Sequence, residues 1–168
     1  VHPSSELALS CYHAPMCGRY DLTAPMQQLV DAFGGVPLGD LQERYNIAPT
    51  QSVLALRSQP AIGHAWTKMR WVLGPAWSPE PTTKYSTFNA VGETIAQKRT
   101  YAGPFKHRRC LIPATGFYEW RKPDKVPFRI TTVDGEPLAF AGVFERWQAK
   151  DSSRFMESCS IITTTPNA

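Results

Sequence analysis

The 168-residue chain is poor in the features that metal sites, disulfide scaffolds and membrane spans need. Its four cysteines, Cys11, Cys17, Cys110 and Cys159, lie far apart, with no C-x-x-C and no paired histidines. This argues against zinc and against a disulfide framework, and it fits the reducing cytoplasm. No apolar stretch approaches the ~20 residues of a membrane span. Val1 to Pro15 (VHPSSELALSCYHAP) has neither a basic start nor an apolar run long enough for a secretory core, so it does not read as a signal peptide. There is no internal repeat and no low-complexity tract. Neither a metal nor an organic cofactor is indicated.

What the chain does contain describes one globular domain: 42% hydrophobic and 19% charged residues, over a length that can bury a sizeable core. Fifteen prolines and eleven glycines imply many turns and few long helices. The net charge of +4 and a pI near 9.0 lean mildly toward a polyanionic partner, although many basic proteins bind no nucleic acid.

Thr23 to Gly35 carries the clearest helical signal. Thr23 can cap it, Pro25 suits its first turn, Met26, Leu29, Val30 and Phe33 recur at three-four spacing, and Gly34-Gly35 stop it. Arg44 to Gln51 reads as a polar, aromatic loop entering a strand from Ser52 to Arg57. Pro49 within it is either turn punctuation or a rigid apolar edge. Lys68 to Leu73 alternates as a strand, with Trp66, Trp71 and Trp77 close by, and such tryptophans either form core or stack on bases. Asn89 opens a predicted short helix through Gln97-Lys98-Arg99, where an N-cap is the plain reading. Lys106-His107-Arg108-Arg109, beside Lys98 and Arg99, is the densest positive cluster: a solvated face or a set of phosphate contacts. Val126 to Val133 and Pro137 to Phe144 read as two strands joined in a hairpin at Asp134-Gly135. A polar loop, Gln148 to Glu157, then precedes a last strand from Cys159 to Thr164.

Two stretches carry candidate chemistry. In Met16-Cys17-Gly18-Arg19-Tyr20, cleavage before Cys17 would leave an α-amine and a thiol on adjacent carbons. An aldehyde meeting that pair is trapped twice, first as a Schiff base on nitrogen and then by thiol addition that closes a five-membered thiazolidine. Free α-amines titrate near ~8 and thiols near ~8.5, so a fraction of each is nucleophilic at neutral pH. Met16 before a small residue is a natural start for such a cysteine. The alternative is a turn entering a strand, with Cys17 a small buried hydrophobe. The second stretch is Gly116-Phe117-Tyr118-Glu119-Trp120. An alternating strand puts Glu119 on the face opposite Tyr118 and Trp120, where desolvation lifts a carboxyl toward the range of a general acid or base; the alternative is a surface glutamate on a half-exposed strand.

Taken in order, Cys17-Gly18-Arg19-Tyr20, Tyr45-Asn46-Ile47-Ala48-Pro49-Thr50, Trp71 to Trp77, Asn89-Ala90 with Glu93-Thr94, Arg109 to Trp120 and Ile161-Ile162-Thr163-Thr164 resemble the SOS-response-associated peptidase family. The resemblance implies an α+β fold over residues 17–168, with a bent β-barrel-like sheet core flanked by helices. Residues 1–16 are then a leader, either an expression remnant or an upstream extension ending at an initiator Met16. It also implies an abasic-site sensor in the DNA-damage response that binds single-stranded DNA and joins its N-terminal cysteine covalently to the ring-opened sugar. Carried over by position, Cys17 is the nucleophile, Asn89 a hydrogen-bonding partner at the lesion, Glu119 the acid/base, and Thr163 a lining residue of the same pocket. Arg19 and Arg99 match phosphate contacts, while Pro49 and Trp120 match apolar groups against which bases stack or are wedged apart. The expected protein is a cytoplasmic monomer, nucleoid-associated if bacterial, with no membrane, metal or cofactor.

Two departures from the family pattern stand out. Asn89-Ala90-Val91 replaces the common Asn-Ala-Arg, which removes one phosphate contact. The family's active-site histidine, in a His-x-Arg-Met-Pro-like segment, has no counterpart in His2, His13, His64 or His107, so the domain is expected to lack its C-terminal part. Two further readings stay open: a thiol autopeptidase in which Cys17 releases the residues before it, and a non-catalytic module that holds single strands.

Overall fold

The computed structural model describes residues 18–121, 123–150 and 153–165, and residues 1–16, expected as a leader, and Cys17 lie outside the described residues. In chain order its elements are β1 (Tyr20–Leu22), α1 (Met26–Phe33), β2 (Arg44–Ile47), β3 (Ser52–Gln59), β4 (Gly63–Trp71), β5 (Asn89–Val91), α2 (Ala102–His107), β6 (Arg109–Ala114), β7 (Gly116–Trp120), β8 (Pro127–Ile130), β9 (Leu138–Gln148) and β10 (Phe155–Thr163).

Alternating apolar runs build the longest ladders. β3 and β4 form a hairpin from Ser52↔Arg70 to Gln59↔Gly63, turned where Ala61 (φ 71°) and Gly63 (φ 82°) enter the left-handed region. β6 adds to β3, β9 runs antiparallel along β6, and β10 returns along β9. The circle closes where β10 lies parallel to β4 at Ser158↔Arg70 and Cys159↔Trp71. Closure removes the exposed edges of these five strands. Farther along β10, β5 takes the same edge, with Ile161↔Asn89 and Thr163↔Val91. At Thr115 the chain leaves the barrel and enters a second sheet of order β2-β1-β7-β8. The expected α+β barrel core is what the structure shows.

Aliphatic residues fill most of the interior, and a few large aromatic side chains pack among them. Tyr20 and Trp71 are fully buried and meet edge to face at 5.4 Å between ring centroids. Burying such side chains is worth about 1.5–3 kcal/mol each. The indole N–H groups of the buried tryptophans also tie loops to the barrel: Trp66 donates to the Gly34 carbonyl (2.9 Å), Trp71 to Phe88 (2.8 Å) and Trp147 to Ser78 (2.8 Å). Among the described residues no helix is long and apolar enough to cross a membrane.

Several local expectations are corrected. Thr23 does not cap α1. The N-cap position is Pro25, and the backbone N–H groups of Thr23 and Ala24 donate instead to Thr115 Oγ1 at 2.9 and 3.1 Å. A side chain from the barrel thus anchors the approach to the helix. Asn89 to Arg99 is not a helix: β10 captures Asn89–Val91 as a parallel strand, and single turns follow, such as Thr94 N–H to Val91 O at 3.1 Å. Arg44–Ile47 is an edge strand, not a loop. The Asp134-Gly135 turn exists, with Gly135 at φ 77°, but β8 pairs with β7 and β9 with β6 and β10, so no hairpin joins them. The loop expected from Gln148 to Glu157 is shorter, because β9 runs to Gln148 and β10 begins at Phe155, and those two residues pair. The basic cluster is not one stripe either, since Arg108 is bound to buried Glu145 at 2.8 Å.

Candidate functional site

β1 is short, but its pairing sets the site. Tyr20 lies opposite Ile47 of β2 and Phe117 of β7, and Tyr20 and Ile47 point into the core. Strand alternation therefore turns Arg19, Asn46 and Tyr118 to the outer face. These three, with Tyr45 and Trp120, line a cleft of about 400 Å³. Arg19 Nη1 donates to Asn46 Oδ1 at 2.9 Å, the Tyr118 N–H donates to the Arg19 carbonyl at 2.9 Å, and the Tyr118 hydroxyl donates to the Tyr45 carbonyl at 3.1 Å. The Tyr45 hydroxyl donates to the Glu43 carboxylate, and that hydrogen bond, followed by the carboxylate's charge, raises the phenol's pKa. A guanidinium between exposed rings, Tyr45 and Trp120, is a surface that can hold a phosphate and flat apolar groups at once.

Glu119 stands between cleft residues Tyr118 and Trp120, and alternation places it on the opposite face with Phe117, as the sequence predicted. It is half-buried, and burial pushes its carboxyl above the ordinary carboxylate range. Phe117 begins a run of edge-to-face rings: Phe117 to Phe140 (5.7 Å), Phe140 to Tyr20 (5.7 Å), Tyr20 to Trp71 (5.4 Å) and Trp71 to Phe88 (6.0 Å). This packed row links the strand of Glu119 to the residue preceding Asn89, so the two strand ends are set on one rigid base. Asn89 is buried in β5, where the Tyr101 hydroxyl donates to its backbone carbonyl at 3.0 Å. Thr163 ends the adjoining β10, and its carbonyl accepts the Gly92 N–H at 2.8 Å. Just beyond, the N–H and hydroxyl of Thr165 donate to the Glu93 carboxylate at 2.8 and 3.0 Å, which lowers the Glu93 pKa.

Pro49 occupies the second position of a tight turn after β2, in which the Gln51 N–H donates to the Ala48 carbonyl at 3.3 Å. Thr50 follows at φ 75°, an unfavourable region for a β-branched residue. A hydrogen bond from Thr50 N–H to the Trp71 carbonyl (2.9 Å) holds this turn against the barrel. Arg99 lies elsewhere, stacked over the exposed Trp77 ring at 4.5 Å, and is not among the cleft residues.

The structure thus gathers Arg19 and Trp120 in one cleft and Asn89 and Thr163 on adjoining strands. Cys17 precedes Gly18-Arg19 in the sequence and lies outside the described residues. The cleft residues Tyr45, Asn46 and Tyr118 had not been singled out. The alternation in Arg44-Tyr45-Asn46-Ile47 was the available signal, but turn-forming Asn and Pro nearby favoured a loop.

A small closed barrel with a cationic, aromatic cleft on an attached outer sheet is the class that these observations define. The chain belongs to the SOS response associated peptidase (SRAP) family, whose profile matches residues 16–168. It is 37% identical over 158 residues to the abasic site processing protein YoaM of Bacillus subtilis, covering 90% of this chain and 69% of that one. It is 31% identical over 147 residues to the abasic site processing protein YedK of Escherichia coli, covering 78% and 62%. Among solved structures, a protein of Bordetella bronchiseptica superposes with a TM-score of 0.73 at 26% identity, covering 88% of this chain and 72% of that chain.

Proposed function

We propose that this protein is an abasic-site sensor that binds damaged single-stranded DNA and links itself to the lesion through Cys17. The observation that carries the reading is the cleft: Arg19 and Trp120, remote in sequence, line one hollow, Arg19 follows Cys17 by two residues, and half-buried Glu119 lies on the other face of the strand that carries Trp120. The relatives named for abasic site processing support the same reading.

The chemistry needs the bond before Cys17 to be cut. The free α-amine then adds to the aldehyde carbon of the ring-opened deoxyribose, water leaves, and an imine remains. The Cys17 sulfur attacks the imine carbon while nitrogen gains a proton, which closes the thiazolidine. Water is the leaving group throughout. Glu119, kept protonated to a higher pH by burial, gives a proton to the departing hydroxyl and as a carboxylate receives the thiol proton. Asn89 and Thr163 contact the sugar, Arg19 and Arg99 take phosphates, and Pro49 and Trp120 hold unstacked bases.

A denaturing gel of protein beginning at Cys17, with a single strand carrying one abasic site, tests the proposal. A heat-stable retarded band that Cys17→Ala abolishes is the expected result. Wild-type protein that binds the strand yet gives no such band overturns it. In the uncut chain the same thiol is the nucleophile that the family's peptidase description suggests. Mass spectra showing residues 1–16 retained equally by wild type and Cys17→Ala would exclude that activity.

A further inference from the structure

The barrel end away from Asn89 and Thr163 carries a second hollow. There β3 ends while β4 and β6 begin, since Gln59 pairs with Gly63 and Arg57 with Cys110. Ser58 lies opposite His64, and the β3–β6 register continued by one residue sets Arg109 opposite Ser58. Neighbouring strands are about 4.8 Å apart, so His64, Ser58 and Arg109 form a row of roughly 10 Å on one face. His107, at the end of α2, joins them around a hollow of about 410 Å³. In the adjoining row on that face Leu56 stands opposite Trp66 and Leu111, and Leu56, Leu111 and Phe33 form the apolar wall of the hollow.

Charge is unbalanced here. The side chains of His64, His107 and Arg109 make no hydrogen bond or ion pair among the described residues, and no Asp or Glu lines the hollow. Arg57 also reaches it, but Glu157 meets that guanidinium at 3.0 Å. The remaining donors suit an oxyanion: a planar guanidinium fork, a hydroxyl, and two imidazoles that each offer an N–H in either protonation state. The apolar wall suits a flat ring attached to it.

We infer that this hollow is a phosphate-binding site, separate from the Cys17 cleft, that takes the phosphate group of a nucleotide on Arg109, Ser58, His64 and His107 with the organic part against Leu56 and Leu111. The phosphate can belong to a free nucleotide or to a strand of nucleic acid.

The imidazole C–H signals of the full chain, assigned with His64→Gln and His107→Gln, provide the test. They are followed by NMR during titration with inorganic phosphate, thymidine 5′-monophosphate, or an undamaged oligothymidylate, at ionic strength fixed with sodium chloride. The signals of His64 and His107 are expected to move saturably with a Kd of about 1 mM or tighter. Arg109→Gln should weaken this roughly tenfold through loss of a charge-assisted pair. Arg146→Gln, which alters an exposed arginine stacked on Phe155, should leave it unchanged. Ser58→Ala, expected to weaken binding several-fold, serves if Arg109→Gln does not fold. Saturation by the mononucleotide identifies a free-nucleotide site, and saturation by the oligonucleotide alone identifies a strand contact. Shifts that sodium chloride reproduces, or that neither variant alters, overturn the inference. Cross-linking of a short abasic strand by Arg109→Gln should match wild type, so failure here and failure at Cys17 are separable.

Discussion

Charging a half-buried carboxyl costs hydration, which is why burial raises the Glu119 pKa. A raised carboxyl pKa favours the folded state fully below the unfolded value near ~4, and that contribution is lost as pH rises through the folded value. Glu119→Gln removes this dependence. Thermal melts should show the variant gaining on wild type from acidic to neutral pH, and a constant difference would contradict the burial argument. Because glutamine keeps the shape but carries no transferable proton, adduct formation should slow by roughly 10²–10⁴-fold with strand affinity nearly unchanged. Timed denaturing gels beside native band shifts check both halves. The orientation of Glu119 was legible in sequence, because strand period alone decides it. The Asn46 partner of Arg19 was not, because that contact depends on pairing β1 with a strand far along the chain.

The strands of the outer sheet are tied by one buried charge. Asp21 of β1 is 1% exposed and accepts both Arg129 Nε and Nη2, at 2.9 and 2.8 Å, across the intervening β7. Arg129→Ala would leave that carboxylate buried without its ion-pair partner and should cost roughly 3 kcal/mol in denaturant unfolding, whereas Arg121→Ala, which breaks an exposed pair, should cost under ~1 kcal/mol. In the barrel wall a Cβ at Gly142 would sit 2.9 Å from Cys110 Sγ and 3.0 Å from Ile112 Cδ1, with the Ser160 carbonyl at 3.1 Å. Gly142→Ala should therefore cost about 1–3 kcal/mol by overpacking, measured by the same unfolding curves. Neither feature is visible in the sequence, where Gly142 resembles any strand glycine and Asp21 any polar residue near a turn. The failed hairpin at Asp134-Gly135 has the same origin: the turn chemistry is local, but pairing partners are chosen by the whole sheet.

Over the whole molecule a net charge of +4 would give the proposed single-strand binding a sequence-independent component. Removing one phosphate contact should flatten the plot of log affinity against log salt by about 0.7. Arg19→Ala and Arg99→Ala are each expected to show that change, while Trp120→Ala should cost roughly 1–3 kcal/mol at every salt concentration. Fluorescence anisotropy across a salt series separates the two patterns, and slopes unchanged in both arginine variants would remove them from the interface.

The sequence by itself determined the fold class, most strand positions, the terminal glycines of α1 and the identity of the family, since periodicity, turn residues and ordered motifs are local properties of the chain. The tertiary structure decided which strands pair, that Asn89 enters a strand instead of opening a helix, that Arg108 is held in an ion pair, and that Arg19 and Trp120 share a cleft from which Arg99 is absent. Those outcomes depend on hydrogen-bond ladders and burial between residues far apart in sequence, whose free energies exceed local preferences and become definite when the barrel closes.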